Sequence, residues 1–201
     1  PECAIICDVV WANDKIEKII PVSFGASNDC SIRKEGAKKI SEKKNWGKSS
    51  KGVAENLISL DFFSEKGIIN NYKIACFLIR DDKINLYGET SFIKDYSYIY
   101  EKLLNWIIEK LNNQIDEDPT ENLNSYLNFN DKISKMVFSI GATRYTDFGK
   151  THFLQENDKS VVVLYPNEKY SDEEILSVVK NKDFSHSDIS LLYQEIVIDR
   201  E

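Results

Sequence analysis

No apolar run in the 201 residues approaches the roughly 20 residues needed to span a bilayer, and no signal peptide is visible. The four cysteines contain no CxxC pair, and the two histidines, His152 and His186, lack the spacing of zinc ligands. Cys3 and Cys7 share one face of a predicted strand, where their Cα atoms would lie about 13 Å apart, too far for a disulfide. We therefore expect no membrane partner, reduced and mostly buried thiols, and a cytoplasmic location.

The chain also has fewer positively than negatively charged residues. The chain has 26 lysines and arginines against 33 aspartates and glutamates, a net charge of −7, and no arginine-rich stripe. Because nucleic-acid binding needs a clustered basic face, we expect no nucleic-acid partner. The one basic stretch, from Arg33 to Lys51, alternates with acidic and small residues and indicates a solvated loop or a ligand-facing segment.

The length and composition are those of a globular protein. Hydrophobic residues make up 42% and charged residues 29% of the chain, and 201 residues fit one domain, or one domain with a small appendage. A strand-like run begins at Glu2, directly after Pro1. This start predicts either that an initiator methionine has been removed or that the chain is the downstream piece of a longer protein, and we favour the second interpretation.

The hydrophobic pattern predicts strands first and helices later. Polar turns are expected at Asn13-Asp14 and at Asp81-Asp82, and a long helix with Asp95 as a candidate cap follows from apolar residues at three-and-four spacing. Capping patterns at Ser171 and Ser185 predict two further helices near 172–180 and 186–196. The predicted strands cover residues 2–11, 16–20, 72–80, 84–87, 136–140 and 160–165, and the long helix covers 93–111. Residues 22–28 form either a further short strand or an extended approach. This order favours an α+β fold over alternating βαβ units.

Three segments carry residues suited to chemistry. Asn28 to Arg33 follows a strand and contains an Asn-Asp pair that by itself could be a simple turn. Asn45 to Ser50 contains Gly-Lys-Ser-Ser, but position 42 is Glu42 where a phosphate-binding loop needs glycine, so we reject that motif. Phe138 to Gly149 is a glycine-containing loop that either presents backbone N–H groups to an oxyanion or is a structural turn.

Together, and in this order, these segments resemble the catalytic domain of the fumarylacetoacetate hydrolase family. Its Asn-Asp-x-Ser-x-Arg motif is similar to Asn28 to Arg33, its Gly-Lys-Ser to Gly47 to Ser49, and its Gly-x-Thr-Ser to Gly88 to Ser91. Its glycine loop and Phe-Leu turn are similar to Gly141 to Gly149 and to Phe153 to Asp158. The resemblance covers residues 2–165 and implies a mixed β-sheet roll or sandwich with one long central helix and short C-terminal helices.

The resemblance also implies a site for Mg²⁺ or Mn²⁺, held by two glutamates and one aspartate. Asp29 corresponds to the aspartate and Glu2 to the second glutamate, while the first glutamate would fall one residue before Pro1. Oxygen ligands suit these hard cations. Lys48 would be the catalytic lysine that stabilises an enolate or oxyanion when a C–C bond breaks.

Arg33, Gly141 and Thr143 would bind the substrate. Arg33 either holds a substrate carboxylate or pairs with a local acid. The family's Gly-Thr-Pro is here Gly-Ala-Thr, and Lys34 stands where the family has a second acid. The water-activating His–Glu pair of the family's hydrolases comes from upstream segments, and His152 is better explained as a solvent-exposed side chain.

The resemblance implies an enzyme that hydrolyses or decarboxylates a small oxo-acid, such as an acylpyruvate or oxaloacetate, at a C–C bond. The alternative is a binding or structural domain of the same fold that has lost the full catalytic set. We expect residues 1–165 to form the catalytic domain and residues 166–201 a helical appendage. Because family members are often dimeric, we also expect a homodimer.

Overall fold

The computed structural model describes residues 1–32, 34–127 and 132–198. Nine strands and five α-helices are present within these ranges. The strands are β1 (Glu2–Ala12), β2 (Lys15–Asp29), β3 (Lys51–Val53), β4 (Ile58–Ser59), β5 (Tyr72–Arg80), β6 (Lys83–Phe92), β7 (Lys135–Ala142), β8 (Lys159–Pro166) and β9 (Ser190–Glu195). The helices are α1 (Ser41–Lys44), α2 (Tyr100–Asn113), α3 (Leu123–Leu127), α4 (Asp147–Thr151) and α5 (Asp172–Asn181).

The strands form two antiparallel sheets. The first has the order β3-β2-β1-β7, with β4 also pairing with β2, and the second has the order β6-β5-β8-β9. Two hairpins close on Asn13-Asp14 and Asp81-Asp82, and all four residues adopt positive φ. Asn and Asp tolerate this left-handed conformation, which matches the twist of a two-residue hairpin. The predicted α+β class and both predicted turns are therefore confirmed.

The main core lies between the facing sheets and extends under α2. Phe24 of β2 meets Tyr72 of β5 edge to face, with ring centroids 4.8 Å apart. On α2, Leu103, Ile107 and Leu111 are buried at a spacing of four residues, which places them on one helix face. This burial removes apolar surface from water and is the main force holding the layers together.

A second apolar cluster covers the outer face of the second sheet. Val161 and Val163 of β8 pack with Ile175 and Val179 of α5, while Val162 and Leu164 face the main core. β8 is thus buried on both faces, which explains its unbroken apolar sequence. Helix α5 begins with a capping box between Ser171 and Glu174, as the sequence predicts.

Three sequence predictions about these elements are wrong. The segment predicted as a helix near 186–196 contains β9, which pairs with β8 and joins the second sheet. The strand predicted at 16–20 does not end at Pro21: it continues through 22–28 as the single strand β2, because Pro21 lies opposite Cys7 at a register shift where a missing N–H group is tolerated. Helix α2 starts at Tyr100 and no side chain caps it, so Asp95 is not its cap.

The cysteines are free: Cys3, Cys7 and Cys76 are buried, and Cys30 is partly buried. Burial raises the pKa of the Cys7 thiol to about 12. None of the helices in the described part of the chain is long and apolar enough to cross a bilayer.

Candidate functional site

Alternation along β2 separates the two residues of the Asn-Asp pair. The Nδ2 group of Asn28 donates to Ser160 Oγ and to Gln194 Oε1, both at 3.1 Å, and so links β2 to the second sheet. Because successive side chains of a strand point to opposite faces, Asp29 points away from the second sheet. Asn28 therefore has a structural role, and Asp29 is available to a site on the outer side of the first sheet.

Two lysines bind the carboxylate of Asp29. Lys51, its cross-strand partner on β3, places Nζ 2.7 Å from Oδ1. Lys44, the last residue of α1, places Nζ 2.9 Å from Oδ2 and also donates to the Asp29 carbonyl oxygen at 3.0 Å. Burial alone would raise the pKa of Asp29, but the hydrogen bonds from Lys51 and then Lys44 outweigh it, and the pKa is lowered. Asp29 is therefore ionised at neutral pH.

Glu2 lies at the start of β1, on the same sheet face as Asp29. Its cross-strand partner is Ser27, two residues before Asp29, so the two acidic side chains share a face. Burial raises the pKa of Glu2, and the nearby charge of Asp29 adds to that effect, while Lys44 and a hydrogen bond from Ser139 oppose it. Glu2 therefore binds a proton more readily than an exposed glutamate.

Glu2, Asp29 and Lys51 line one cavity of about 750 Å³. Its other walls come from the end of β7, which includes Ser139, and from the first half of α2, which includes Trp106. Charged groups of both signs thus gather at one end of a space large enough for a small organic molecule.

Lys48, the lysine predicted to be catalytic, lies elsewhere. It begins a short 3₁₀ turn, Lys48–Ser50, and its side chain is exposed. Lys48 lines a second depression with Asn45 and Gly47, and this depression adjoins the cavity because Lys51 lines both. Lys51, three residues later, is the lysine that lines the cavity with Asp29. Sequence reasoning missed Lys44 and Lys51 because their approach to Asp29 depends on the β2–β3 register and on the path of the intervening loop.

Of the three residues predicted to bind the substrate, one lines the cavity, one is buried away from it, and one lies outside the described part of the chain. Gly141 lines the cavity, and its carbonyl oxygen accepts a hydrogen bond of 2.9 Å from the Tyr96 hydroxyl. Thr143 is buried away from the cavity walls, and its hydroxyl donates to the Glu89 carbonyl oxygen. Arg33 lies outside the described residues.

The two histidines have local partners. His152 stacks on Phe148, with ring centroids 3.9 Å apart, and lies next to α4 rather than in the cavity wall. His186 places Nδ1 3.2 Å from the Tyr170 hydroxyl and Nε2 3.2 Å from a carboxylate oxygen of Asp183. Both rings thus contribute to local packing.

A family model described as "Family of unknown function (DUF5718)" matches residues 1–196. The chain belongs to this family. Neither a search of curated proteins nor a search of solved structures found a match. The family match includes β9, so it spans both sheets, the cavity and the C-terminal helix α5.

The donor set of the cavity does not fit a metal ion held by three carboxylates. Across residues 1–32, 34–127 and 132–198, no group of three or more His, Cys, Asp or Glu side chains is placed to hold one. Glu2 and Asp29 would supply two ligands, but an ammonium group already contacts each oxygen of Asp29. Two carboxylates and two ammonium groups balance one another in charge, and a divalent cation would have to displace the lysines.

Proposed function

We propose that the cavity at Glu2, Asp29 and Lys51 binds a small oxo-acid, and that the protein hydrolyses or decarboxylates such an acid at a C–C bond beside its carbonyl group. The observation that carries the proposal is the convergence of these three side chains at one end of a single cavity. Glu2 and Asp29 are also two residues that the resemblance to the fumarylacetoacetate hydrolase family implicates, and we propose the same fold type for this chain.

The charged end of the cavity suits the acid group of the ligand. The Lys51 ammonium, 2.7 Å from Asp29, offers donors to a carboxylate or to the negative charge that develops on a carbonyl oxygen. When a C–C bond beside a carbonyl breaks, its electron pair forms an enolate that must accept a proton. A glutamate with a raised pKa, as Glu2 has, is suited to deliver that proton.

In this proposal Lys51 takes the role that the sequence predicts for Lys48. Mg²⁺ or Mn²⁺, which the family resemblance implies, would have Glu2 and Asp29 as ligands, provided that Lys44 and Lys51 released Asp29. A metal ligand must be deprotonated, so Glu2 could not also deliver the proton while it held the ion. Metal dependence is therefore a separate part of the proposal, and it needs its own measurement.

The test is isothermal titration with oxalate, an oxo-acid analogue, in the presence and absence of Mg²⁺ or Mn²⁺. We expect oxalate to bind, and Lys51→Met to weaken binding at least tenfold because it removes the ammonium group at the cavity. Lys48→Met is the matched control, since it deletes a neighbouring exposed charge outside the cavity, and it should bind oxalate like the wild type. Absence of binding to the wild type, or equal losses in both variants, would refute the proposal.

The second candidate is a binding domain without catalysis. Two observations favour it: both oxygens of Asp29 are engaged by lysines, and the Thr143 hydroxyl bonds Glu89 instead of facing the cavity. A turnover screen with oxaloacetate and acylpyruvates separates the two candidates. Turnover that disappears in Glu2→Gln supports the enzyme, whereas oxalate binding without turnover supports the binding domain.

A further inference from the structure

The cavity lining contains two unlike groups of side chains. The polar end consists of Glu2, Asp29, Lys51 and Ser139, which lie together because Lys51 contacts Asp29 and Ser139 hydrogen-bonds Glu2. The rest of the lining is mostly apolar and is formed by side chains of α2, of the segment before it and of β7. The main members of this apolar wall are Tyr98, Leu103, Trp106, Ile107, Val137 and Ile140.

Part of the apolar wall is not needed for the core of the protein. Leu103 and Ile107 are buried in the main core, so their packing is explained by the fold. Trp106 is 46% exposed, Tyr98 45% and Val137 53%, although all three line the cavity. Open apolar surface inside a pocket is the surface that a ligand can remove from water.

The aromatic side chains of this wall are held in place. Tyr98 and Trp106 meet edge to face, with ring centroids 6.0 Å apart. The ammonium group of Lys102 lies 4.0 Å from the centroid of the Tyr98 ring. Aromatic pairs and cation–π contacts of this kind restrict ring orientation, so the wall is pre-formed for a flat or branched apolar group.

We infer that the ligand is an oxo-acid with an aromatic or branched aliphatic substituent, the acid group bound at the polar end and the substituent against Trp106 and Val137. This inference rests on the proposed function and names its substrate class. The volume of about 750 Å³ accommodates more than a three-carbon acid. A second carboxylate in place of the apolar substituent would lose hydration against this wall without gaining a partner. We therefore expect a short dicarboxylic oxo-acid to bind less tightly than an oxo-acid with an apolar substituent.

The test compares pyruvate with phenylpyruvate and 4-methyl-2-oxopentanoate, which carry the same 2-oxo-acid group with different substituents. By isothermal titration we expect the two larger acids to bind at least tenfold more tightly than pyruvate, equivalent to about 1.4 kcal/mol. Trp106→Ala should reduce that preference to below threefold, because it removes the aromatic face against which the larger substituents pack. Val137→Thr, which keeps the shape of the side chain but replaces one methyl group by a hydroxyl group, should reduce the preference in part.

The control is Phe62→Ala, which removes an exposed aromatic ring outside the cavity wall and should keep the full preference. Equal affinity of the wild type for pyruvate and phenylpyruvate overturns the inference and leaves the proposed function standing. The inference is also overturned if Trp106→Ala and Val137→Thr both keep the full preference for the larger acids over pyruvate. If none of the acids nor oxalate binds, the proposed function fails and the inference fails with it.

Discussion

Asp29→Asn tests the electrostatics of the candidate site, because it removes the charge of the carboxylate with little change in shape. Lys51 is 53% exposed, so solvent screening limits its pair with Asp29 to about 0.5 kcal/mol. Lys44 is 29% exposed and Asp29 21%, so that charged hydrogen bond is worth about 1–1.5 kcal/mol. Together these pairs predict that the substitution lowers the free energy of unfolding by about 1.5–2 kcal/mol at pH 7.

The decrease in the free energy of unfolding caused by Asp29→Asn should become smaller as the pH falls. The pKa of Asp29 is lower in the folded protein than in the unfolded chain. Its stabilising contribution is therefore complete above the unfolded value of about 3.9 and disappears as the pH falls through the folded pKa. The wild type and Asp29→Asn should differ at pH 7 and converge at strongly acidic pH.

Urea denaturation followed by circular dichroism at several pH values measures this difference. Asp147→Asn is the control, because Asp147 pairs with Lys150 at 2.8 Å but its side chain is 98% exposed, and it should change stability little. The reasoning is refuted if Asp29→Asn is no more destabilising than Asp147→Asn, or if its effect is the same at every pH.

Four further predictions concern other parts of the molecule. Asp158→Asn should lower the free energy of unfolding by about 3 kcal/mol in urea denaturation. It breaks a bidentate ion pair with Arg80, and the Asp158 side chain is only 2% exposed. Glu2→Gln should increase the free energy of unfolding in urea denaturation at pH 7 but not at pH 3. The pKa of Glu2 is raised in the folded protein, so its stabilising contribution is present below its unfolded pKa and is lost as the pH rises through its folded pKa. Gly141→Ala should destabilise by about 1–3 kcal/mol in thermal denaturation, since a Cβ atom there would lie 2.6 Å from the Tyr96 ring. Light scattering should give twice the chain mass of 23.2 kDa, and a monomer would contradict the expected homodimer.

Local pattern was sufficient to predict much of the fold. The strand at Tyr72–Arg80 was predicted with its observed bounds, because its apolar run ends at the Asp81-Asp82 turn. Helix α2 was predicted from its apolar spacing, although not its start at Tyr100. β9 was missed because Ser190–Glu195 contains residues that helices also accept, and pairing with β8 decides its conformation.

The candidate site was predictable only in part. Asp29 and Glu2 were named from the resemblance, and the structure brings both to one cavity. Lys51 and Trp106 were not named. The lysine-rich loop offers several cations at similar sequence distances from Asp29, and Trp106 occurs within a helical pattern that is explained equally well by packing.

The sequence by itself determined the features that depend on neighbours in the chain: the two hairpins, the periodicity of α2, the capping box of α5 and the alternation that turns Asn28 and Asp29 to opposite sides of β2. Tertiary structure alone decided which lysines reach Asp29 and which apolar side chains stand opposite it. Local features follow from a few backbone dihedral angles and side chains. The contacts of the site depend on strand register, and on packing between segments that lie far apart in the chain.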